Sequence, residues 1–519
     1  EAGDGRWIHP MPEVAPAVLE SLGLGPDALV GSPSAPACDE RKAYQASMQT
    51  LLLRRTSAEW LQLFAERDLR CQPVQSIAEA HDHPQFTANE SVQTTAVDGV
   101  GPVRQFGSPY RITTTPGRPR GGRPAPRRLS SPLEGITVLD FGLAVAGPYG
   151  PMLLSDLGAD VIRVDNVKAP RATDNQVWAA CQRGKRSITL DLKSAAGRAV
   201  VDELVAKADV IHHNMRPGVA ERLGIGFEQV RAGHPGIIYC HVTGFGASGP
   251  LAGAPGCDQM SQALSGLDHE QGATEAGGHP TWNRLGVCDH GAAMLSVLGI
   301  LAALQRRERT GEGALVETSI TNAAALLSSQ VALADGLPRF PGLDREQTGL
   351  GPLYRLYETA SGWICIAAVQ PHHWPTLCTA LGLPELVADE RFADGAARHR
   401  NADELCRLLG AVLGMKPADE WVSTFDAAGV PAEVASDEFI ATWFDAPDIV
   451  AKEWVTKYVH PVWGRTEQVG RLWDFSASPV RLFGPPVLHG QHSREILTEL
   501  GRSPDDIEQL AAAGVTTLR

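Results

Sequence analysis

Asp289 stands at the head of a run rich in alanine, leucine and glycine, RLGVCDHGAAMLSVLGILAALQRRERTGEG (284–313). The run has the composition of a long apolar helix. An acid at its start is favoured by the free N–H groups and by the positive end of the helix dipole. One reading of Asp289 is therefore an N-cap. The other is chemical: a carboxylate with an ordinary pKa of about 3.9 is ionised at neutral pH without an activating base, so it can serve as a nucleophile. The two readings are compatible, because a cap is also an exposed and oriented position. A second acid, Asp258, follows Pro255, Gly256 and Cys257 and reads as a turn-stabilising aspartate. The histidine pairs His212-His213 and His372-His373 are adjacent residues that point in different directions, and no further donor falls at metal-ligand spacing, so no metal site is expected. His290 directly follows Asp289 and projects away from it, as a packing or surface residue.

Something must position these acids and offer a ligand site. The stretch PLEGITVLDFGLAVAGPYGPMLLSDLGADVIRVD (132–165) predicts a strand over 136–139, a loop holding Gly142, Gly147 and Pro148, a helix over 149–157 and a strand over 160–164. This is the opening βαβ unit of a doubly wound sheet, whose first loop and helix N-terminus suit an anionic ligand. The glycine spacing (142, 147, 150) departs from G-x-G-x-x-G, which leaves a dinucleotide as a minor alternative even though Asp165 stands where a ribose-binding acid belongs.

The motifs that follow are more specific: RGKRSITLDLKS (183–194), ADVIHHNMRPGVAERLGIG (208–226), YCHVTGFGASGP (239–250) and APGCDQMSQALSGL (254–267). In this order and spacing the chain from about 130 to 500 resembles the family III CoA-transferases, the group of formyl-CoA transferase and carnitine CoA-transferase, which includes the α-methylacyl-CoA racemases. The resemblance implies an enzyme that moves CoA from an acyl-CoA to a carboxylic acid, with Asp289 as the nucleophile. It implies an aspartyl anhydride and an aspartyl-CoA thioester as intermediates. It places Asp258 near the thioester carbonyl in an orienting or hydrogen-bonding role. It places Val145 and Ala146 against the thiol end of CoA, and Lys185, Arg186, Asn214, Met215, Arg222 and Leu223 near the rest of the cofactor. A flap is expected at TGLGP (348–352) with Gly349 and Gly351, shorter than the glycine run of formyl-CoA transferase; an ordinary turn is the other reading. The racemases carry a histidine where this chain has Cys257. A thiol with a pKa near 8.5 is a poorer base at neutral pH than an imidazole near 6.5, which favours transfer over proton exchange. A racemase-like epimerase and a non-catalytic acyl-CoA-binding subunit remain as alternatives.

The implied fold is α/β: a doubly wound, Rossmann-like large domain (133–330), a smaller α+β domain (355–460) and a C-terminal segment (461–519) returning to the large one, within an interlocked dimer or pseudo-dimer. The 519 residues, 43% hydrophobic and 20% charged, suffice for several packed domains. A formal charge of −14 argues against nucleic acid or a membrane surface as partner. The strongly apolar run near 295–304 is short of the ~20 residues that span a bilayer. The nine cysteines show no C-x-x-C pair, so a reduced, cytoplasmic setting is expected.

An internal repeat organises the rest. DGRWIHPM (4–11) parallels ASGWICIA (360–367), ESLGLGPD (20–27) parallels TALGLPEL (379–386), and GSPYR (107–111) parallels ASPVR (477–481). AEWLQLFAERDLRCQPV (58–74) parallels DEWVSTFDAAGVPAEVA (419–435), with the constant offset 421 − 60 = 425 − 64 = 361. Residues 1–115 thus read as the small domain and tail of a first, truncated copy in a separate lobe, with its front expected upstream or on another chain. A self-contained regulatory lobe is the alternative. The stretch 116–132, rich in Pro, Gly and Arg, reads as a linker. Trp7, Trp60, Trp363 and Trp421 recur in both copies and read as core anchors.

Overall fold

The computed structural model describes residues 1–32, 38–116, 129–168, 175–338, 342–436, 442–480, 482 and 484–519. Most of the expected linker, and Arg481 of the 477–481 motif, lie outside the described residues. Two compact units are present: one of Glu1–Leu267, Asn283–Leu337 and Pro447–Arg519, the other of Asp268–Trp282 and Pro338–Ala446.

The larger unit begins with a small lobe in which β1 (Ile8–Pro10) pairs antiparallel with β2 (Cys71–Pro73) beside α1 (Ser57–Glu66). A capping box starts α1, Thr56 and Glu59 exchanging backbone hydrogen bonds. Trp60 and Phe64 occur one helical turn apart, so they share a face, and both are fully buried.

The main sheet of this unit has seven strands: β3 (Tyr110–Thr115), β4 (Thr137–Asp140), β5 (Asp160–Asn166), β6 (Arg186–Leu190), β7 (Val210–His213), β8 (Ile238–Thr243) and β9 (Gly313–Ser319). Their order is β3-β9-β8-β7-β4-β5-β6. Strands β4 to β9 are parallel, and β3 closes one edge antiparallel to β9. The sheet progresses outward from β4 in one direction and from β7 in the other, so its switch point lies between them. Both faces are buried, which explains the nearly unbroken apolar runs. Val138, Ile238, Cys240 and Val242 pack to one side, and Leu139, Ile237 and Tyr239 to the other.

Helix α2 (Tyr149–Asp156) follows β4 directly, and α3 (Asp258–Ser265), α4 (Val287–Thr310) and α5 (Ile320–Ser328) complete the set that surrounds the site. α4 is long and apolar enough, by length and composition, to cross a membrane. In this fold it is a core helix: Leu295, Ile300 and Leu304 pack against the sheet, and Arg307 at its end is buried on Asp209 at 2.9 Å. Helices α2 and α4 approach closely at Gly150, where a Cβ would meet Ser296 Oγ at 2.6 Å.

The smaller unit carries the antiparallel sheet β10 (Gly349–Gly351), β11 (Tyr354–Glu358), β12 (Trp363–Ala367) and β13 (Ala432–Ala435), packed on α6 (Ala418–Ala428). Inside, it is built like the small lobe. Trp60 Nε1 donates to Leu52 O at 2.7 Å and Trp421 Nε1 to Leu413 O at 2.9 Å, with 413 − 52 = 361. The ring of Trp60 stacks on Phe64 at 5.7 Å and that of Trp421 on Phe425 at 5.6 Å. Ile8 faces Pro73 as Ile364 faces Val434. Trp60 and Trp421 are core anchors, whereas Trp7 is half-buried and Trp363 is 40% exposed. The alternation of β12 sends Ile364 and Ile366 inward and leaves Trp363 on the outer face.

Two expectations about domain layout change. The small lobe is not separate from the large sheet, because β3 is hydrogen-bonded into that sheet and Gln85 ties the lobe to the loop beyond β8 through Phe245 O and Ser248 O, both at 2.6 Å. The smaller unit ends at 446 rather than 460, and the hairpin Val455–His460/Gly464–Val469 belongs to the larger unit with α7 (Ser493–Glu499).

Candidate active site

The loop after β4 is held from three sides. Asp140 Oδ1 accepts the N–H of Gly142 at 2.7 Å, and Asp140 Oδ2 accepts from Lys185 Nζ at 2.7 Å. Lys185 Nζ also donates to Pro148 O at 2.7 Å and to Gln182 Oε1 at 3.0 Å, which uses all three of its protons. Asn214, just past β7, accepts from Leu143 N at 2.7 Å and donates to Leu143 O at 2.9 Å. Gly147 is required by this clamp, since a Cβ there would meet Asn214 Oδ1 at 2.4 Å and Leu143 N at 2.6 Å.

These contacts redistribute the expected cofactor residues. Lys185 lies fully buried under the loop, where burial lowers its pKa against the pull of Asp140. It is a pin for the loop, with no proton left for a phosphate. Arg186 turns the other way, to Asp160 at 2.6 Å and to Glu495 and Glu499 of α7 at 3.0 and 2.8 Å. Val145 and Ala146 are buried, while their neighbours Leu143 and Ala144 face a cleft. Asn214 and Met215 do line that cleft. Arg222 is exposed at the end of the short helix Val219–Arg222, and Leu223 packs into the core behind it.

The cleft holds about 610 Å³ and opens at the switch point, between the loops that follow β4, β7 and β8. Ala254, Pro255 and Gly256 close one side, and Glu13, Asp68 and Arg70 of the small lobe close another. Reading the lobe as separate hid these last three residues. The mismatch between Arg70 and Pro431 in the two parallel motifs is the signal that could have exposed them.

Asp289 is not the N-cap of α4. Gly286 holds that place in the left-handed region at φ 65°, and Asp289 is the third helical residue. The cap comes from elsewhere: Asp258 Oδ2 accepts the N–H of Cys288 at 2.7 Å and that of Asp289 at 2.9 Å. Its other oxygen accepts from Gln262 one turn along α3, and Gln262 is locked in turn to both backbone groups of Asn283 at 2.8 Å. Asp258 is thus a buried positioning residue whose oxygens are occupied, rather than a turn aspartate.

Asp289 keeps part of its surface open. Its carboxyl is pushed up to about 7, first by burial and then by the charge of Asp258. The helix dipole favours the ionised form by roughly 0.3–1 kcal/mol, too little to offset these. Burial also pushes the Cys257 thiol up. His290 turns back to Gly286 O at 2.8 Å and meets Tyr149 edge-on at 4.6 Å. Gly349 and Gly351 lie in the short, bulged strand β10 of the smaller unit, paired to Arg355 and Tyr354. Among the described residues no three His, Cys, Asp or Glu side chains gather as a metal-ligand set.

A doubly wound sheet with a cleft at its switch point defines an α/β protein that binds its ligand at the carboxyl ends of the strands. Asp289, on the first turn of α4, does not line that cleft itself and is joined to its wall through Asp258, two residues beyond Gly256. The chain belongs to CoA-transferase family III, whose model matches residues 4–127 and 133–493. It is a CoA-transferase. It is 30% identical to mouse succinyl-CoA:glutarate CoA-transferase over 399 residues, covering 74% of this chain and 90% of that protein. It is 33% identical to succinyl-CoA–D-citramalate CoA-transferase of Chloroflexus aurantiacus over 421 residues, 75% and 99% of the two chains. Among solved structures, a CAIB/BAIF family protein from Brucella suis matches with a TM-score of 0.60 at 29% identity, over 72% of this chain and all of that one.

Proposed function

We propose that the protein transfers CoA from an acyl-CoA to a carboxylic acid through covalent catalysis by Asp289. The observation that carries this reading is a largely buried but still partly exposed carboxylate fixed on the first turn of α4 by the Asp258 cap. A desolvated carboxylate is a stronger nucleophile than a hydrated one, and a pKa near 7 still leaves about half of it ionised at neutral pH.

Asp289 attacks the thioester carbonyl, the C–S bond breaks, and CoA leaves as thiolate from a mixed anhydride. The thiolate then attacks the aspartyl carbonyl, which releases the first acid and leaves an aspartyl-CoA thioester. The incoming carboxylate repeats the two steps in reverse order and departs as the new thioester. No net proton moves and one thioester replaces another. The cleft beside Leu143, Asn214 and Met215 supports binding of the pantetheine arm, and Arg222, exposed on the short helix whose first residue Val219 lines the cleft, suits a phosphate. Val145, Ala146 and Lys185 act by holding the loop. The names of the relatives support a dicarboxylic acid among the substrates. The matched geometry of the two small lobes supports residues 1–115 as a copy of the smaller unit, in a pseudo-dimer within one chain or a dimer of such chains. The free cysteines among the described residues fit a cytoplasmic setting.

Hydroxylamine or borohydride trapping after mixing with acyl-CoA tests the mechanism. A CoA-dependent adduct at Asp289, absent from Asp289→Asn, is expected. Deuterium uptake at the α-carbon with no adduct would indicate an epimerase, and neither result would indicate a binding protein.

A further inference from the structure

The small lobe brings to the cleft one guanidinium that its fold does not require. Arg70 directly precedes β2, and the matching position in the smaller unit, 70 + 361 = 431, is Pro431. Both lobes keep the same tryptophan, the same ring stack and the same strand pairing, yet only one carries a cation at this point. Fixing an arginine side chain costs up to about 2 kcal/mol of rotamer freedom; the ion pair with Glu13 of the same lobe offsets part of this and leaves the rest of the guanidinium facing the cleft.

Arg70 lines the 610 Å³ cleft together with Asn214 and Met215, and about a third of its side chain is exposed. Glu13 accepts from its Nε, and the guanidinium lies against the Cys257 thiol. Cys257 in turn feels the charge of Asp289. Across the cleft from Arg70 the wall residues Pro255 and Gly256 run into Asp258, whose carboxylate holds the Asp289 backbone N–H at 2.9 Å. It is not the counter-ion of Asp289, whose carboxyl shifts upward under burial and Asp258 with no cation to oppose them. With Nε engaged by Glu13 and the Cys257 thiol beside the guanidinium, the N–H groups left facing the cleft can donate to a carboxylate.

Resting on the transfer reading of Asp289, we propose that Arg70 is a specificity residue that binds a second carboxylate at the far end of the acyl chain. The preferred acyl groups are then those of dicarboxylic acids. A neutral acyl chain of equal length reaches the same reacting centre but leaves these N–H groups unused.

The test uses single donors, so that no acceptor needs to be known. Formation of the trapped Asp289 adduct is followed with succinyl-CoA and with butyryl-CoA, which share chain length and differ in the terminal carboxylate. The wild-type protein is expected to show a KM roughly 10- to 100-fold lower for succinyl-CoA, the range of a charge-assisted hydrogen bond. Arg70→Gln should raise the succinyl-CoA KM by that factor with kcat little changed, leave butyryl-CoA within about threefold, and so show that the variant is folded. Arg70→Lys should recover part of the preference. Equal loss on both donors, or a wild-type preference for butyryl-CoA, overturns the proposal while leaving covalent transfer intact. No adduct with either donor overturns both.

Discussion

Asp258 Oδ2 accepts the backbone N–H of Asp289 at 2.9 Å, so one buried acid both caps α4 and fixes the direction of the other. Removing it should separate these two effects. Asp258→Ala is expected to cost about 1–2 kcal/mol of stability as a lost cap and to reduce transfer more than tenfold by releasing the first turn. Asp258→Asn keeps an acceptor oxygen without the charge. Urea unfolding and initial-rate measurements on the two variants distinguish them.

The rate of adduct formation should rise with pH through about 7, because Asp289 must be ionised to attack and its carboxyl is held there by burial and by Asp258. In Asp258→Asn the second cause is gone, so the midpoint should move to lower pH. A pH series of single-turnover rates checks both the midpoint and the direction of its shift.

The same shift has a stability sign. An acid whose folded pKa lies above its unfolded value binds protons more tightly when folded, so its contribution is largest below about 4 and is lost as pH rises through about 7. Asp289→Asn removes the cost of the buried charge. It should therefore be more stable than wild type above pH 7, by an amount on the order of 4 kcal/mol, with little difference at pH 4. Melting temperatures at the two pH values measure this.

Lys185→Met should leave Asp140 charged and buried with one fewer partner. The expected loss is roughly 3–5 kcal/mol of stability, since breaking a buried pair costs more than replacing both members. A double variant, Lys185→Met with Asp140→Asn, should recover part of that loss in thermal unfolding.

Gly147→Ala puts a methyl group on Asn214 Oδ1 and the Leu143 amide. The loop after β4 must then give up one side of its clamp. Binding of CoA should weaken measurably, and transfer should slow by up to about a hundredfold if the loop moves by about 1 Å. Calorimetric titration with CoA reads the first effect and initial rates the second.

Local signals read well because they are short-range. The expected strand at 136–139 and helix at 149–157 fall within a residue of β4 and α2, since a Gly/Pro loop and apolar periodicity mark both ends. The place of Asp289 on the first turn of a long apolar helix was legible in the composition of 284–313, whereas its expected role as nucleophile came from the family resemblance. What the sequence could not reveal is which partner satisfies a given polar group. Lys185 and Arg186 look alike as surface cations, but the first is consumed by Asp140 and the second by α7. The cap of α4 comes from Asp258, 31 residues before Asp289, and no spacing rule points to it. Arg70 was missed for a similar reason: its lobe meets the large sheet through contacts far apart in sequence, Gln75 N on Ala263 O, Gln85 on Phe245 O and the edge strand β3 on β9.

That edge strand has a consequence for how the protein behaves in dilute solution. A wall tethered to the same polypeptide as the cleft it lines meets it at a fixed effective concentration, which does not fall as the protein is diluted. The walls supplied by Glu13, Asp68 and Arg70 therefore stay in place at nanomolar enzyme, where a wall borrowed from a loosely held neighbour would have drifted away.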